Sequence, residues 1–432
     1  MRPATATLCV LFAVLGSSTP VLAQTPAANT CLTCHRAQQD KPIAAPAALF
    51  SQTDVHRESG FGCVNCHGGD PAAGDKALAH DAARGFKGKP AGQGVIATCT
   101  GCHSDAAFMR RYAPKQRLDQ GAEYATSMHG QQLAKGNTNV ATCASCHGAH
   151  GIRRVSDAKS PVFPSNVAVT CGACHADPKR MAGYKLSDGS PLPTHQLADY
   201  QKSVHYAAMT KGNDLSAPTC NDCHGNHGAV PPGVGAIANV CGTCHAVFAQ
   251  KFATSVHKDL FDKACVECHS NHAVLQPSDA MLATSGPGVC APCHSATDKT
   301  DKGGLAAEAM RGDIERLKTG IEHSHALIER IGSAGIEVSD QQLALREAAT
   351  KLTLARTEMH GFKPLVLTPI IAEGMTIVGA VDVAGHNGES ELRYRRRGLA
   401  ASLGAILLFV VGLALKVRQI DRRHHGRPPS SH

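Results

Sequence analysis

Eighteen of the nineteen cysteines in this 432-residue chain fall into nine copies of Cys-x-x-Cys-His. The copies are Cys31, Cys34 and His35; Cys63, Cys66 and His67; Cys99, Cys102 and His103; Cys143, Cys146 and His147; Cys171, Cys174 and His175; Cys220, Cys223 and His224; Cys241, Cys244 and His245; Cys265, Cys268 and His269; and Cys290, Cys293 and His294. Two thiols and an imidazole at this spacing suit covalent attachment of c-type haem. The thiols form thioethers with the haem vinyls, and the histidine is then held under the iron as its proximal ligand. A zinc site would take such motifs two by two, and nine is odd. Disulfides would not require a histidine after every second cysteine. The expected cofactor is nine covalently bound haems c.

Histidines outside these motifs recur at fixed places and make a two-haem unit. An aromatic residue leads to x-x-Ser-x-His, then to Cys-x-x-Cys-His-x-x-His, then to a second Cys-x-x-Cys-His. One copy has Tyr124, Ser127, His129 and His150; the next has Tyr200, Ser203, His205 and His227; the last has Phe252, Ser255, His257 and His272. The first copy is degenerate, with Phe50, Asp54 and His56, Asp70 where the x-x-His would stand, and His80 further on. The Cys31 haem precedes these units alone. A low-spin haem needs a second axial ligand, and neutral imidazole suits iron. His56, His80, His129, His150, His205, His227, His257 and His272 are therefore the expected distal ligands. In Cys-His-x-x-His one histidine cannot cap both faces of its own haem, so His150, His227 and His272 should reach a different one. Nine haems need a ninth distal ligand, for which His195 and His360 are candidates, with His323 and His325 as further ones.

Such ligands need a scaffold, and the composition limits what it can be. Tryptophan is absent and aromatics make up 4% of the chain, while Gly and Pro number 42 and 23. The core must be cofactor more than side chain, with loops and short helices wrapped around a haem stack. The apo chain should be largely unfolded, because cofactor binding supplies the folding free energy. The net charge of +8 does not argue for nucleic acid. Eighteen propionates would offset it, and part of the basic charge flanks an apolar segment.

The expected fold class is mainly α with extensive loops: a multihaem haem-stack domain, a helical hairpin and one C-terminal transmembrane helix. Residues 1–23 read as a signal peptide, with Arg2, an apolar Leu8–Gly16 stretch and Val21-Leu22-Ala23 before a cleavage point at Gln24. Residues 24–298 read as the nonahaem domain, a single-haem start plus four two-haem units. Residues 303–362 read as an antiparallel helical hairpin. Its first stripe is Met310, Ile314, Leu317, Ile321, Ile328 and Ile331, and its second Leu345, Ala349, Leu352 and Met359. Ser339 and Gln342 look like a capping box opening the second helix, and Pro364 and Pro369 end the pattern. Residues 363–398 read as a linker. Residues 399–417 are apolar enough to span a bilayer, about 28 Å at helical rise. Arginines precede this span, and a basic tail, residues 418–432, is expected in the cytoplasm.

These residues resemble the multihaem cytochromes c of the doubled-motif, class III-like group. The resemblance covers residues 31–294 and extends to the His360-Gly-Phe362 hairpin and the tail helix of membrane-tethered members. It implies bis-histidine haems and periplasmic electron transfer. The expected function is an inner-membrane-anchored electron carrier with its haems in the periplasm and no bond-making chemistry of its own. Electrons would pass between a membrane quinol-oxidising complex, or a cytochrome b-type subunit, and periplasmic redox proteins. The competing reading is a reductase of a small nitrogen or sulfur oxyanion, which needs one open iron; the Cys31 and Cys99 haems are the candidates. A third is direct quinol oxidation by this chain.

Overall fold

The computed structural model describes residues 29–233 and 236–425. The expected signal peptide, residues 1–23, and the end of the basic tail lie outside them. The protein is mainly helical with long loops, and among the described residues there is no strand, only an isolated bridge between Lys185 and Pro191. The chain divides into two compact units. One runs to Thr194 and includes Thr219–Val230; the other comprises His195–Pro218 and Pro231 onward. The first six haem-attachment motifs fall in the first unit and the last three in the second.

In the haem-bearing region, short helices are set by local capping. Cys143–His147 and Cys220–His224 are single helical turns. The amides of Thr142 and Thr219 donate to Ser145 Oγ and Asp222 Oδ2 at 3.0 and 2.8 Å, which satisfies donors left orphaned at a helix start. Immediately after the histidine, Gly148 and Gly225 take φ of 82° and 81°. This left-handed turn suits glycine and throws the chain toward His150 and His227. In the last repeat Ser270 occupies that turn at φ 65°.

The Ser-x-His segment is a second capping device. Ser127 and Ser203 are buried, and their hydroxyls accept from the amides of Gly130 and Tyr206 at 2.9 and 3.1 Å. Asp54 does the same for the His56 amide at 3.0 Å. The preceding tyrosines latch onto the segment entering the next motif: Tyr124 Oη donates to Ala141 O at 2.8 Å and Tyr200 Oη to Pro218 O at 2.9 Å. A third contact joins successive repeats. The amides of Val55, Met128 and Val204 donate to the carbonyls of Ile152, Ala229 and Val274 at 2.8, 3.0 and 2.8 Å. Each acceptor lies two residues beyond the x-x-His of the following repeat.

Beyond the last motif three helices form a bundle: α1 (Lys302–Ser333), α2 (Ser339–Glu358) and α3 (Pro364–His425). The α1 stripe packs inward, with Ile314 and Leu317 fully buried. On α2 the inward residue is Ala348, while Ala349 is exposed. The expected capping box is not formed. Val338 is the N-cap residue, and the Glu337 carboxylate accepts from the Ser339 amide at 3.0 Å.

Residues 363–398 are not a linker. From Pro364 the chain is helical, and residues 367, 371, 374, 378, 381, 385 and 388 are all buried. Spacings alternating between four and three make this a seam against a neighbouring helix. Pro364 starts the helix, where a missing N–H is tolerated. The seam contains Gly374, Gly385 and Gly388, and a Cβ on these would lie 2.7, 2.4 and 2.7 Å from the Leu317, Leu327 and Ile331 side chains. Ser324, fully buried, donates to Asp382 Oδ1 at 2.6 Å across α1 and α3. Ion pairs between Arg356 and Asp279 at 2.6 Å, and Lys251 and Glu358 at 2.6 Å, tie α2 to the haem-bearing part of the same unit. The Leu399–Val417 stretch of α3 projects free with its apolar side chains exposed. It is compatible with a single-pass membrane anchor.

Candidate haem centres

A histidine nitrogen binds a first-row metal at about 2.0–2.1 Å, and the ring centroid lies ~1.1 Å behind it. Two imidazoles on opposite sides of one iron therefore have centroids about 6.2 Å apart. Eight motif histidines each face a second histidine at this spacing. His35 faces His80 at 6.0 Å, His67 faces His150 at 5.8 Å, and His103 faces His56 at 6.0 Å. His147 faces His227 at 6.1 Å, and His175 faces His129 at 6.0 Å. His245 faces His205 at 6.3 Å, His269 faces His360 at 6.2 Å, and His294 faces His257 at 6.1 Å. The gap in each pair fits an iron held by both rings, which is the fit a bis-histidine haem requires.

The pairing follows a rule. The histidine of Ser-x-His, or Asp-x-His, faces the second motif of its own two-haem unit: His56 with His103, His129 with His175, His205 with His245, His257 with His294. The x-x-His faces the first motif of the preceding repeat: His150 with His67, His227 with His147. The latches of Val55 to Ile152 and Met128 to Ala229 supply the cause, since they fasten the segment after the x-x-His to the repeat before it. His80, in the degenerate copy, reaches back in the same way to His35. His272 holds the corresponding place in the last repeat. That repeat has no successor to return a histidine to its own first motif. There His360, on the short turn between α2 and α3, faces His269. His195 is exposed, with Nε2 3.6 Å from Asp199, and His323 and His325 lie on the exposed side of α1.

The other ring nitrogen is also engaged. His67 Nδ1 lies 2.8 Å from Gly88 O, His80 Nδ1 2.8 Å from Lys76 O, and His360 Nδ1 3.1 Å from Arg356 O. A donor at Nδ1 fixes the tautomer that leaves Nε2 for a metal. Burial pushes the rings of His103, His129, His147, His175 and His269 below the ordinary histidine value. The neutral, ligating form is thus favoured.

Two carboxylates, whose link to the rings no spacing in the sequence reveals, also hold ring nitrogens. Asp54 Oδ1 lies 2.9 Å from His56 Nδ1, and Asp301 Oδ1 3.0 Å from His294 Nδ1. Burial raises the Asp54 carboxyl, but the His56 ring and the amides of His56 and Ile152 outweigh it and hold the group below the usual range. The amides of Gly304 and Ser295, with the His294 ring, hold Asp301 at about 2. Phe362 packs edge-on against His257 at 4.3 Å.

The eighteen motif cysteines are not disulfide-bonded. Sulfurs of consecutive motifs are neighbours in alternation. In the first unit Cys31 neighbours Cys63, Cys66 neighbours Cys102, Cys99 neighbours Cys143, Cys146 neighbours Cys174, and Cys171 neighbours Cys220. In the second unit Cys241 neighbours Cys265, and Cys268 neighbours Cys290. Within each unit, spatial order thus follows sequence order.

Comparison with known proteins agrees with this chemistry. Residues 257–299 match the doubled CXXCH motif family. Over 273 residues the chain is 28% identical to the multiheme cytochrome MtrA of Shewanella baltica (strain OS185), covering 62% of this chain. The match spans 66% of that relative's length, just under two thirds. No solved structure matches the chain.

Proposed function

We propose that this multihaem c-type cytochrome carries nine covalently bound haems with two axial histidines each, and conducts electrons along them without making or breaking substrate bonds. The single observation that carries the reading is the set of eight histidine pairs at 5.8–6.3 Å. The neighbouring sulfurs of consecutive motifs support conduction in sequence order, because attachment points side by side bring successive haems close. When bound, haem supplies the one-electron chemistry. The chain's own residues orient the rings, hold them neutral and deny the metal an open position.

The same reading makes Leu399–Val417 a tether to the inner membrane, with the haem region on the periplasmic side, where c-type haem is attached. Its partners would then be a quinol-oxidising membrane complex on one side and periplasmic redox proteins on the other. The turn carrying His360 and Phe362 joins the bundle, whose third helix leads to the tether, to rings of the eighth and ninth haems. Those haems are the natural contact with a membrane-bound donor. The reductase alternative needs an open iron at the Cys31 or Cys99 haem, and the placement of His80 and His56 opposite those motif histidines weighs against it.

Reconstitution in liposomes tests the proposal. Every haem should be reduced and reoxidised reversibly by small mediators, and nitrite, hydroxylamine and sulfite should not reoxidise the reduced protein at a catalytic rate. Sustained turnover of any of the three would overturn it.

A further inference from the structure

The proposed ligand rings differ in what holds their Nδ1 atoms. For His67, His80 and His360 the partner is a neutral backbone carbonyl. For His56 and His294 it is a carboxylate within hydrogen-bond distance, Asp54 or Asp301, whereas the Glu123 carboxylate stands 3.7 Å from His227 Nδ1, beyond that distance. Asp54 is 3% exposed, so water does little to screen its charge. It is fixed by the amides of His56 and Ile152 at 3.0 and 3.1 Å. Asp301 is fixed by those of Ser295 and Gly304 at 2.7 and 2.8 Å. An imidazole donating to an anion gains imidazolate character and gives more electron density to the metal, which stabilises the ferric state. Across from His294, the Nδ1 of His257 is buried without a hydrogen-bond partner. The extra donation at that pair thus comes from one side.

Resting on the ligand assignment above, we propose that Asp54 and Asp301 place the haems of Cys99 and Cys290 at the low-potential end of this protein's range. The potentials along the chain are then uneven by design of the fold, with one low-potential haem in each unit. Each carboxylate acts through its histidine and is a positioning and tuning residue.

The test is a redox titration of the full-length protein in detergent, followed by haem absorbance and by EPR. Wild type is compared with Asp54→Asn, Asp301→Asn and a control, Asp157→Asn, whose carboxylate pairs with Arg153. Each of the first two variants should keep all its iron low-spin. About one-ninth of the absorbance should leave the most negative part of the titration for a higher potential, with a changed low-spin g-value pattern. The control should superimpose on wild type. Titrations of Asp54→Asn and Asp301→Asn that also superimpose on wild type would overturn the proposal. So would a haem turning high-spin in either variant, because the carboxylate would then only hold the ring in place. Failure of the ligand assignment itself reads separately: His56→Ala and His257→Ala would leave every iron low-spin.

Discussion

His360 faces His269 with ring centroids 6.2 Å apart and planes 18° from parallel, 91 residues on in the chain. It lies on the turn between two bundle helices, outside the haem-binding repeats. The last repeat has no successor to donate an x-x-His, and the bundle supplies the ring in its stead. His360→Ala should convert one haem of nine to a high-spin or water-ligated state in the ferric EPR spectrum. His195→Ala should leave the spectrum unchanged. The opposite pattern would transfer the ligand role to His195.

That residue marks the boundary of what the sequence could tell. The nine motifs and the repeated histidines were legible because their spacing is dictated by the chemistry of one cofactor. The partner of each histidine was not, because it depends on backbone latches such as Met128 to Ala229, which involve no particular side chain. The α3 seam was hidden for a different reason. Three of its inward positions, Gly374, Gly385 and Gly388, are small, so close helix approach replaces the large apolar stripe that a reader of periodicity looks for. Pro364 looks like a stop when it in fact marks a beginning, and Pro369 lies inside the helix. On α2, Ala348 and Ala349 are chemically identical, and only packing distinguishes them.

Ser203 is 1% exposed and caps the helix that carries His205. Ser203→Ala removes the acceptor for the Tyr206 amide and should cost about 1 kcal/mol. A lower urea midpoint at an unchanged slope would show this, with the haem spectrum in native buffer unaltered. An unchanged midpoint would deny the cap its role.

Glycines of α3 should differ sharply in tolerance. At Gly385 a Cβ would fall 2.4 Å from the Leu327 side chain, whereas at Gly379 nothing lies within 4 Å. Gly385→Leu should overpack the α1–α3 seam and destabilise the bundle by about 1–3 kcal/mol. Gly379→Ala should be neutral or stabilising, by up to about 1 kcal/mol, through helix propensity. Thermal melts followed by far-ultraviolet circular dichroism would compare the two.

Truncation immediately before Leu399 keeps the seam residues from Leu367 to Gly388 and removes the exposed apolar stretch. The truncated protein should stay in solution without detergent and keep the full-length absorption spectrum. Aggregation or altered haem bands would mean that the segment packs against the protein instead of anchoring it.

The most direct measurement is the ferric EPR spectrum of the holoprotein, quantified against iron and haem per chain. Nine haems per chain, all low-spin and unchanged by added cyanide, are the predicted result. A stoichiometric high-spin iron that binds cyanide would contradict the account, and would make an open haem the centre of this protein's chemistry.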